Sequence, residues 1–187
     1  AFSPLSYFFF FFFFLFFAVD ARTNAAVDVI VKGRQLLESL GAAGGETVDA
    51  RDRSALESLT DLLEAYTHHM GRGGAAERTM TNRTLFEAIV QRALALQHKE
   101  LFTGGNAALM AEHLVSAPGA QRDVQLVAAA GPKLRELLSP NVNVPAQCFT
   151  DGDEYHLILE YARDEEWAGR RAPKANIYGG GTGQVFI

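Results

Sequence analysis

Cysteine is nearly absent from this sequence. Cys148 is the single one in 187 residues. One thiol can form neither an intrachain disulfide nor a thiolate metal site, and Cys148 reads as a lone buried thiol. An excess of positive charge is missing too. Lys and Arg number 17 against 22 Asp and Glu, for a net charge of −5 and a pI near 5.5. Phosphate backbones need a basic footprint, so nucleic acid is excluded as a main partner. No internal repeat is visible, which argues against a solenoid. Phosphate-loop signatures are also lacking. Gly179 to Gly183 resembles one only in composition, because no Gly-Lys-Ser/Thr follows and Gln184 stands where a dinucleotide fingerprint needs its third glycine.

The chain is long enough for one domain of ordinary size. Hydrophobic residues make up 48% and charged residues 21%, which permits a sizeable core. The aromatic content misleads, since nine of the 14 Phe lie between Phe8 and Phe17. Residues 5–19 are almost wholly apolar. This is short of the roughly 20 residues that span a bilayer and falls in the range of a signal-peptide core. No Lys or Arg precedes it. Phe, Ser, Leu, Pro and Tyr all have pyrimidine-rich codons, so translation through the tract before a splice acceptor would also give this composition. Both readings stand: an artefact of that kind, or a signal or anchor segment. In the second case the chain enters the endoplasmic reticulum or secretory pathway, and otherwise it is cytoplasmic. At the other end, 177–187 reads as a flexible, Gly-rich tail unrelated to the domain.

Between the ends, apolar strands alternate with amphipathic helices. Ala25 to Val31 reads as a buried strand interrupted by one acid, Asp28. Lys32 to Leu40 is helical, with Gly41 as its stop. Ser54-x-x-Glu57 and Thr84-x-x-Glu87 match capping boxes and open two further helices, the first ending near Gly71. Gly104-Gly105 breaks the chain, and Asn106 caps a helix running to about Leu114. Val124 to Ala130 is a strand, and Lys133 to Leu138 is a short helix after Pro132. Tyr155 to Tyr161 is a strand with His156, Ile158 and Glu160 on one face. Such alternation implies an α/β fold with a largely parallel sheet. The adjacent pair His68-His69 reads as surface, because neighbours on a helix face apart. Asn82-Arg-Thr84 is an N-glycosylation sequon, meaningful only in the secretory pathway.

Four short motifs occur in fixed order: Asn24-Ala-Ala-Val-Asp28, Ala75-Ala-Glu77-Arg, Gly104-Gly105-Asn106-Ala-Ala-Leu and His156-Leu-Ile-Leu-Glu160-Tyr. They offer carboxylates, amides, exposed backbone N–H groups and an imidazole, suited to a polyhydroxylated small molecule. On the residues alone, bland readings compete. Asp28 could cap a neighbouring helix, Glu77 could be solvated in a Gly-rich loop, Gly104-Gly105-Asn106 could be an ordinary turn, and His156 could be a core residue. In order and wording the series resembles the N-terminal part of the ADP-dependent glucokinase family, which are sugar kinases of the ribokinase-like superfamily. The resemblance spans 24–176 and includes Gly131-Pro-Lys-Leu-Arg-Glu-Leu-Leu, Glu165-Glu-Trp167 and Ala172-Pro-Lys-Ala-Asn176. One departure is Arg22, where the family usually has Gly.

The resemblance implies a ribokinase-like α/β fold, here a partial central sheet with helices on both faces. It implies transfer of the β-phosphoryl of ADP to glucose, giving glucose 6-phosphate and AMP. It carries glucose binding onto Asn24, Asp28, Glu77, Gly104, Gly105, Asn106 and His156, with Glu160 orienting its neighbours. At Glu77 a carboxylate would favour glucose over fructose 6-phosphate by repelling the phosphate. The family's catalytic Asp lies in a Gly-x-Gly-Asp motif, and its Mg²⁺-associated motif is Asn-x-x-Glu. Neither motif occurs in these 187 residues. No catalytic or metal-ligating residue is therefore assigned, Mg²⁺ is implied by the family alone, and ADP would bind mostly elsewhere. The chain reads as 1–23 Phe-rich head, 24–176 N-terminal glucokinase part and 177–187 tail, a fragment of a longer enzyme expected to be inactive alone. Two other readings remain: a non-catalytic sugar-binding domain, and a membrane-tethered interaction protein using the head. The sugar reading requires the motif residues to meet in one cleft at the sheet's mouth, where open α/β sheets bind ligands.

Overall fold

The computed structural model describes residues 25–44, 48–117 and 123–176, together with the backbone of 185–186. The Phe-rich head, Asn24 and residues 177–184 lie outside the described residues. The first strand, β1 (Ala26–Lys32), is buried at every position except Lys32. Six consecutive buried residues are what an apolar run covered on both faces produces. It leads into α1 (Gly33–Ser39), after which Gly41 takes a φ of 90°, a left-handed stop suited to glycine. Then come β2 (Ala55–Leu56), α2 (Leu59–Arg72), β3 (Glu77–Met80), α3 (Arg83–Ala95), β4 (Lys99–Gly104) and α4 (Asn106–Ser116). The remainder is β5 (Val124–Gln125), α5 (Pro132–Leu137), β6 (Val142–Asn143), β7 (Tyr155–Glu160), β8 (Glu166–Trp167), β9 (Arg170–Arg171) and β10 (Val185–Phe186).

The main sheet runs β2-β3-β10-β7-β1-β4. Its centre is parallel, with β1 on β7 and β7 on β10, and β2 is also parallel to β3. β4 is antiparallel to β1, and β10 to β3. The sheet is therefore mixed rather than largely parallel, because strand direction depends on how the connections return and not on side-chain period. Val27, Val29, Val31, Leu157 and Leu159 join the main core with Leu36, Leu37, Ile89 and Ala93 from α1 and α3. The opposite face of β1 carries Asp28 and Ile30, which look onto a groove lined by Leu109 of α4 and Leu137 of α5.

Several local expectations shift. Ser54-x-x-Glu57 is not a cap, because Ala55–Leu56 pairs with Thr79–Met80. The true box lies four residues on: Ser58 Oγ accepts from Asp61 N at 3.1 Å, and Asp61 Oδ2 accepts from Ser58 N at 3.0 Å. Thr84 likewise yields to Asn82, whose Oδ1 accepts from Leu85 N at 3.1 Å. Val124–Ala130 shrinks to a two-residue strand and one bridge from Ala130 to Phe149. β3 and β4 fall where no strand was expected. The flexible-tail expectation fails at 185–186, whose backbone pairs with both β3 and β7. Cys148 is only half-buried.

Candidate functional site

Three distant segments meet around Asp28. Register places Asp28 beside His156 on β7 and beside Phe102 on β4, so all three share one face of the sheet. Asp28 and His156 are each 1% exposed. Their Oδ1 and Nδ1 atoms lie 2.7 Å apart. The approach is short but departs from a linear hydrogen bond, so the pair is best described as an electrostatic contact. The other ring nitrogen, Nε2, is buried with no hydrogen-bond partner among the described residues. A buried polar atom left in that state is costly in a finished core and marks a place for an additional polar group.

Gly104 explains how the carboxylate fits. It ends β4 opposite Ala26, and a Cβ there would stand 1.8 Å from Asp28 Oδ1. Close approach, not backbone conformation, fixes this glycine. Gly105 is fixed for the other reason, since its φ is 82°. Gly105, rather than Asn106, is the N-cap of α4, and Asn106 becomes the first helical residue, exposed to solvent. No side chain caps α4, and its first turn holds no acid. The start of α5 differs: Asp153 accepts from Lys133 N at 3.0 Å and from Leu134 N at 2.8 Å. The first-turn N–H groups of α4 are thus available to donate, immediately beside Gly104.

Glu77 is the first residue of β3 and exposed, not part of a loop as its Gly-rich surroundings suggested. Its register partner Phe186 is in turn the partner of Ile158, so Glu77 shares the face of His156 and Asp28. It stands about 10 Å to the side of β7, two strand spacings away. The structure therefore groups Asp28, Gly104 and His156 in contact, adds Gly105 and Asn106 through the chain, and sets Glu77 apart on the same face. A cleft of about 600 Å³ is lined by residues that include Asp28, Ile30, Phe102, Leu109, Leu137 and Glu160. Among the expected sugar residues it takes in Asp28 only. The cluster also sits at the amino ends of β1 and β7 and at the carboxyl end of β4. That is the reverse of the mouth expected for an open parallel sheet, because β4 runs antiparallel and delivers Gly104-Gly105 to that edge. Glu160 closes the far end of the β1–β7 pair through Lys32, with Nζ to Oε2 at 2.8 Å.

A second polar cluster lies near Glu77. Arg78 donates to Asp52, while His69 Nε2 lies 3.2 Å from Asp52 Oδ1 and 3.3 Å from Arg78 Nη2. Arg78 also donates to the Glu77 carbonyl at 2.7 Å. These contacts tie β3 to the last turn of α2 and to the preceding loop. His69 is 9% exposed, not a surface residue. Helical spacing could have revealed this, since Leu62, Ala65, Tyr66, His69 and Met70 form one buried stripe. Burial, the largest cause, pushes the His69 imidazole below its ordinary value. The hydrogen bond from Arg78 holds the Asp52 carboxyl below the usual range. Among the described residues no group of three or more His, Cys, Asp or Glu is arranged to hold a metal ion. Among the same residues no helix is long and apolar enough to cross a membrane.

Over 155 residues, 83% of this chain, it is 43% identical to the ADP-dependent glucokinase of Bos taurus. Over the same length it is 35% identical to a probable ADP-dependent glucokinase of Caenorhabditis elegans. The chain spans 30% of the length of each of these relatives. A crystal structure of a phosphofructokinase from Pyrococcus horikoshii OT3 with AMP superposes with a TM-score of 0.61 at 17% identity, covering 88% of this chain and 39% of that one. That likeness shows the fold, and the ribokinase-like α/β class expected from the motifs holds. A family model described as the ADP-specific phosphofructokinase/glucokinase conserved region matches residues 21–178, which include every motif around Asp28 and His156. By that match and these identities, the chain belongs to the ADP-specific phosphofructokinase/glucokinase family.

Proposed function

We propose that this chain supplies the sugar-binding part of an ADP-dependent glucokinase, which moves the β-phosphoryl of ADP onto glucose and releases AMP. The observation that carries the reading is the meeting of Asp28, Gly104 and His156 from positions 128 residues apart in sequence. A carboxylate accepts from two adjacent sugar hydroxyls, as it does from any forked pair of donors. The imidazole Nε2 offers one more polar contact, and the first turn of α4 offers N–H donors to sugar oxygens. Glu77 shares that face, and in this reading it accepts from the sugar's far side and repels a phosphate there. In-line phosphoryl transfer also needs a base and Mg²⁺. Those roles belong to sequence motifs that these 187 residues do not contain. Magnesium therefore enters through the family alone, and the isolated chain is expected to form no glucose 6-phosphate from ADP and glucose.

Nuclear magnetic resonance of the labelled 187-residue chain tests the binding half. Millimolar glucose should shift the Gly104, Gly105 and Asn106 amides and the His156 ring, and fructose 6-phosphate should shift them far less. Shifts confined to other residues, or equal shifts with both sugars, would overturn the reading. A purely sugar-binding, non-catalytic role is favoured instead if the longer protein carrying these motifs binds glucose without turning it over.

A further inference from the structure

Asn82 caps α3, Arg83 and Thr84 open its first turn, and all three are exposed. The Asn82 Oδ1 accepts from Leu85 N at 3.1 Å, and its Nδ2 donates to the Glu57 carbonyl at 3.5 Å, the weak limit of such a bond. Capping accounts for Asn82, since Asn is among the best N-cap residues. It does not account for Thr84, whose side chain is solvent-facing in the first turn and takes no part in the cap. Thr is also a mediocre helix former at such a position. What Asn82 and Thr84 do share is the Asn-x-Ser/Thr pattern, which accepts an N-linked glycan when a chain is translocated.

We propose that Asn82 is a glycosylation site of this chain, and that the fold accepts the glycan with its helix cap intact. In the reaction a pyrophosphate-linked lipid oligosaccharide is the donor. The bond between the sugar C1 and the phosphate oxygen breaks, the Nδ2–C1 bond forms, the lipid pyrophosphate leaves, and one Nδ2 proton is lost to a base. Oδ1 is untouched, so it still accepts from Leu85 N. One Nδ2 hydrogen remains, so the contact to Glu57 can persist as well.

The position also keeps the sugar clear of the Asp28 cluster. Asn82 lies beside the end of β2, at the outer edge of the sheet, and β1 is four strands away. At about 4.8 Å per strand that is about 19 Å. Glu77, at the opposite end of β3, is five residues off, about 16 Å along the strand. A glycan on Asn82 therefore leaves the face of Asp28, His156 and Glu77 open, and the proposal stands independently of what binds there.

The test is cell-free translation of the full 187-residue chain with endoplasmic-reticulum microsomes. Protease protection reports entry, and an endoglycosidase-sensitive gel shift reports the glycan. The wild-type chain should be protected and shifted. Thr84→Ser should keep the shift, whereas Thr84→Ala and Asn82→Asp should lose it while remaining protected. Thr84→Ala and Asn82→Asp both leave a capping side chain in place, so a folding failure would not imitate the result. A protected but unshifted wild-type chain overturns the proposal, and so does a chain that stays unprotected. The cap claim has its own readout, because glycosylated wild-type chain and the same chain made without microsomes should melt at the same temperature. A clear drop on glycosylation would overturn it.

Discussion

At the scale of single residues, the cluster depends on atoms that are missing as much as on atoms present. Gly104→Ala places a methyl group where Asp28 Oδ1 now sits. Either the carboxylate or the strand must move, at a cost of about 1–3 kcal/mol by analogy with overpacked cores. Thermal unfolding should show the loss, and the His156 ring resonances should move with it. Unchanged stability would mean that Asp28 is not held against Gly104. Glu77→Ala should behave in the opposite way. The residue is exposed at the start of a strand, so unfolding should change little, while glucose-induced shifts weaken and discrimination against fructose 6-phosphate fades. The pH response of His69 has a defined sign. Its folded-state value lies below the ordinary 6.5 because burial disfavours the charged form. The stability it contributes is present above pH 6.5 and is lost as pH falls through the lower folded-state value. Asp52, also depressed, adds a second loss only below its ordinary 3.8. Denaturant titrations between pH 7.5 and 5 should show falling stability, flattened in His69→Asn. The groups facing that ring are Asp52, Arg78 and His68, so an unchanged slope would assign the effect elsewhere.

At the scale of elements, helix starts are where local pattern and structure part. Ser54 fits a capping template better than Ser58 does, because Glu57 follows it at the favoured spacing while Ser58 is followed by Asp61. The structure uses Ser58, since Ala55–Leu56 is taken by β3. Ser58→Ala should therefore cost about 1 kcal/mol, and Ser54→Ala should stay within about 0.5 kcal/mol of wild type. Chemical denaturation of the two variants decides between the boxes. The core strands, by contrast, were plainly legible. Ala26–Lys32 and Tyr155–Glu160 declare themselves by apolar runs interrupted inside the strand only by Asp28 and by His156. β3 and β4 could not be read this way. Glu77–Met80 and Lys99–Gly104 are half-exposed and carry charged residues, so their strand state comes from the neighbours that pair with them.

At the scale of the whole molecule, the sheet is joined through a very short strand. β10 is two residues long, yet it stands between β3 and β7. Deleting 177–187 removes the main-chain link between the β2–β3 edge and the β7–β1–β4 centre. Loss of amide-exchange protection at Arg78 and at Leu157 should follow, with a lower melting temperature. A flexible appendage would produce neither change. Because Glu77 belongs to β3, the same deletion should weaken any glucose response at the cluster more than it lowers stability there.

The sequence by itself determined the two buried strands, the helix that follows the first of them, the ordered motifs and through them the family. Those features are local: they depend on apolar period, on glycine where the chain turns, and on residues within a few positions of one another. Tertiary structure decided the rest. Only pairing in register could put Asp28 beside His156, because 128 residues separate them. Only an antiparallel β4 could bring Gly104-Gly105 to the amino ends of β1 and β7. The burial of His69 is legible in its helical stripe, but only the packing of α2 against β3 could set it between Asp52 and Arg78. Each of these is a contact between segments whose spacing along the chain carries no periodic signal, so no reading of local pattern contains it.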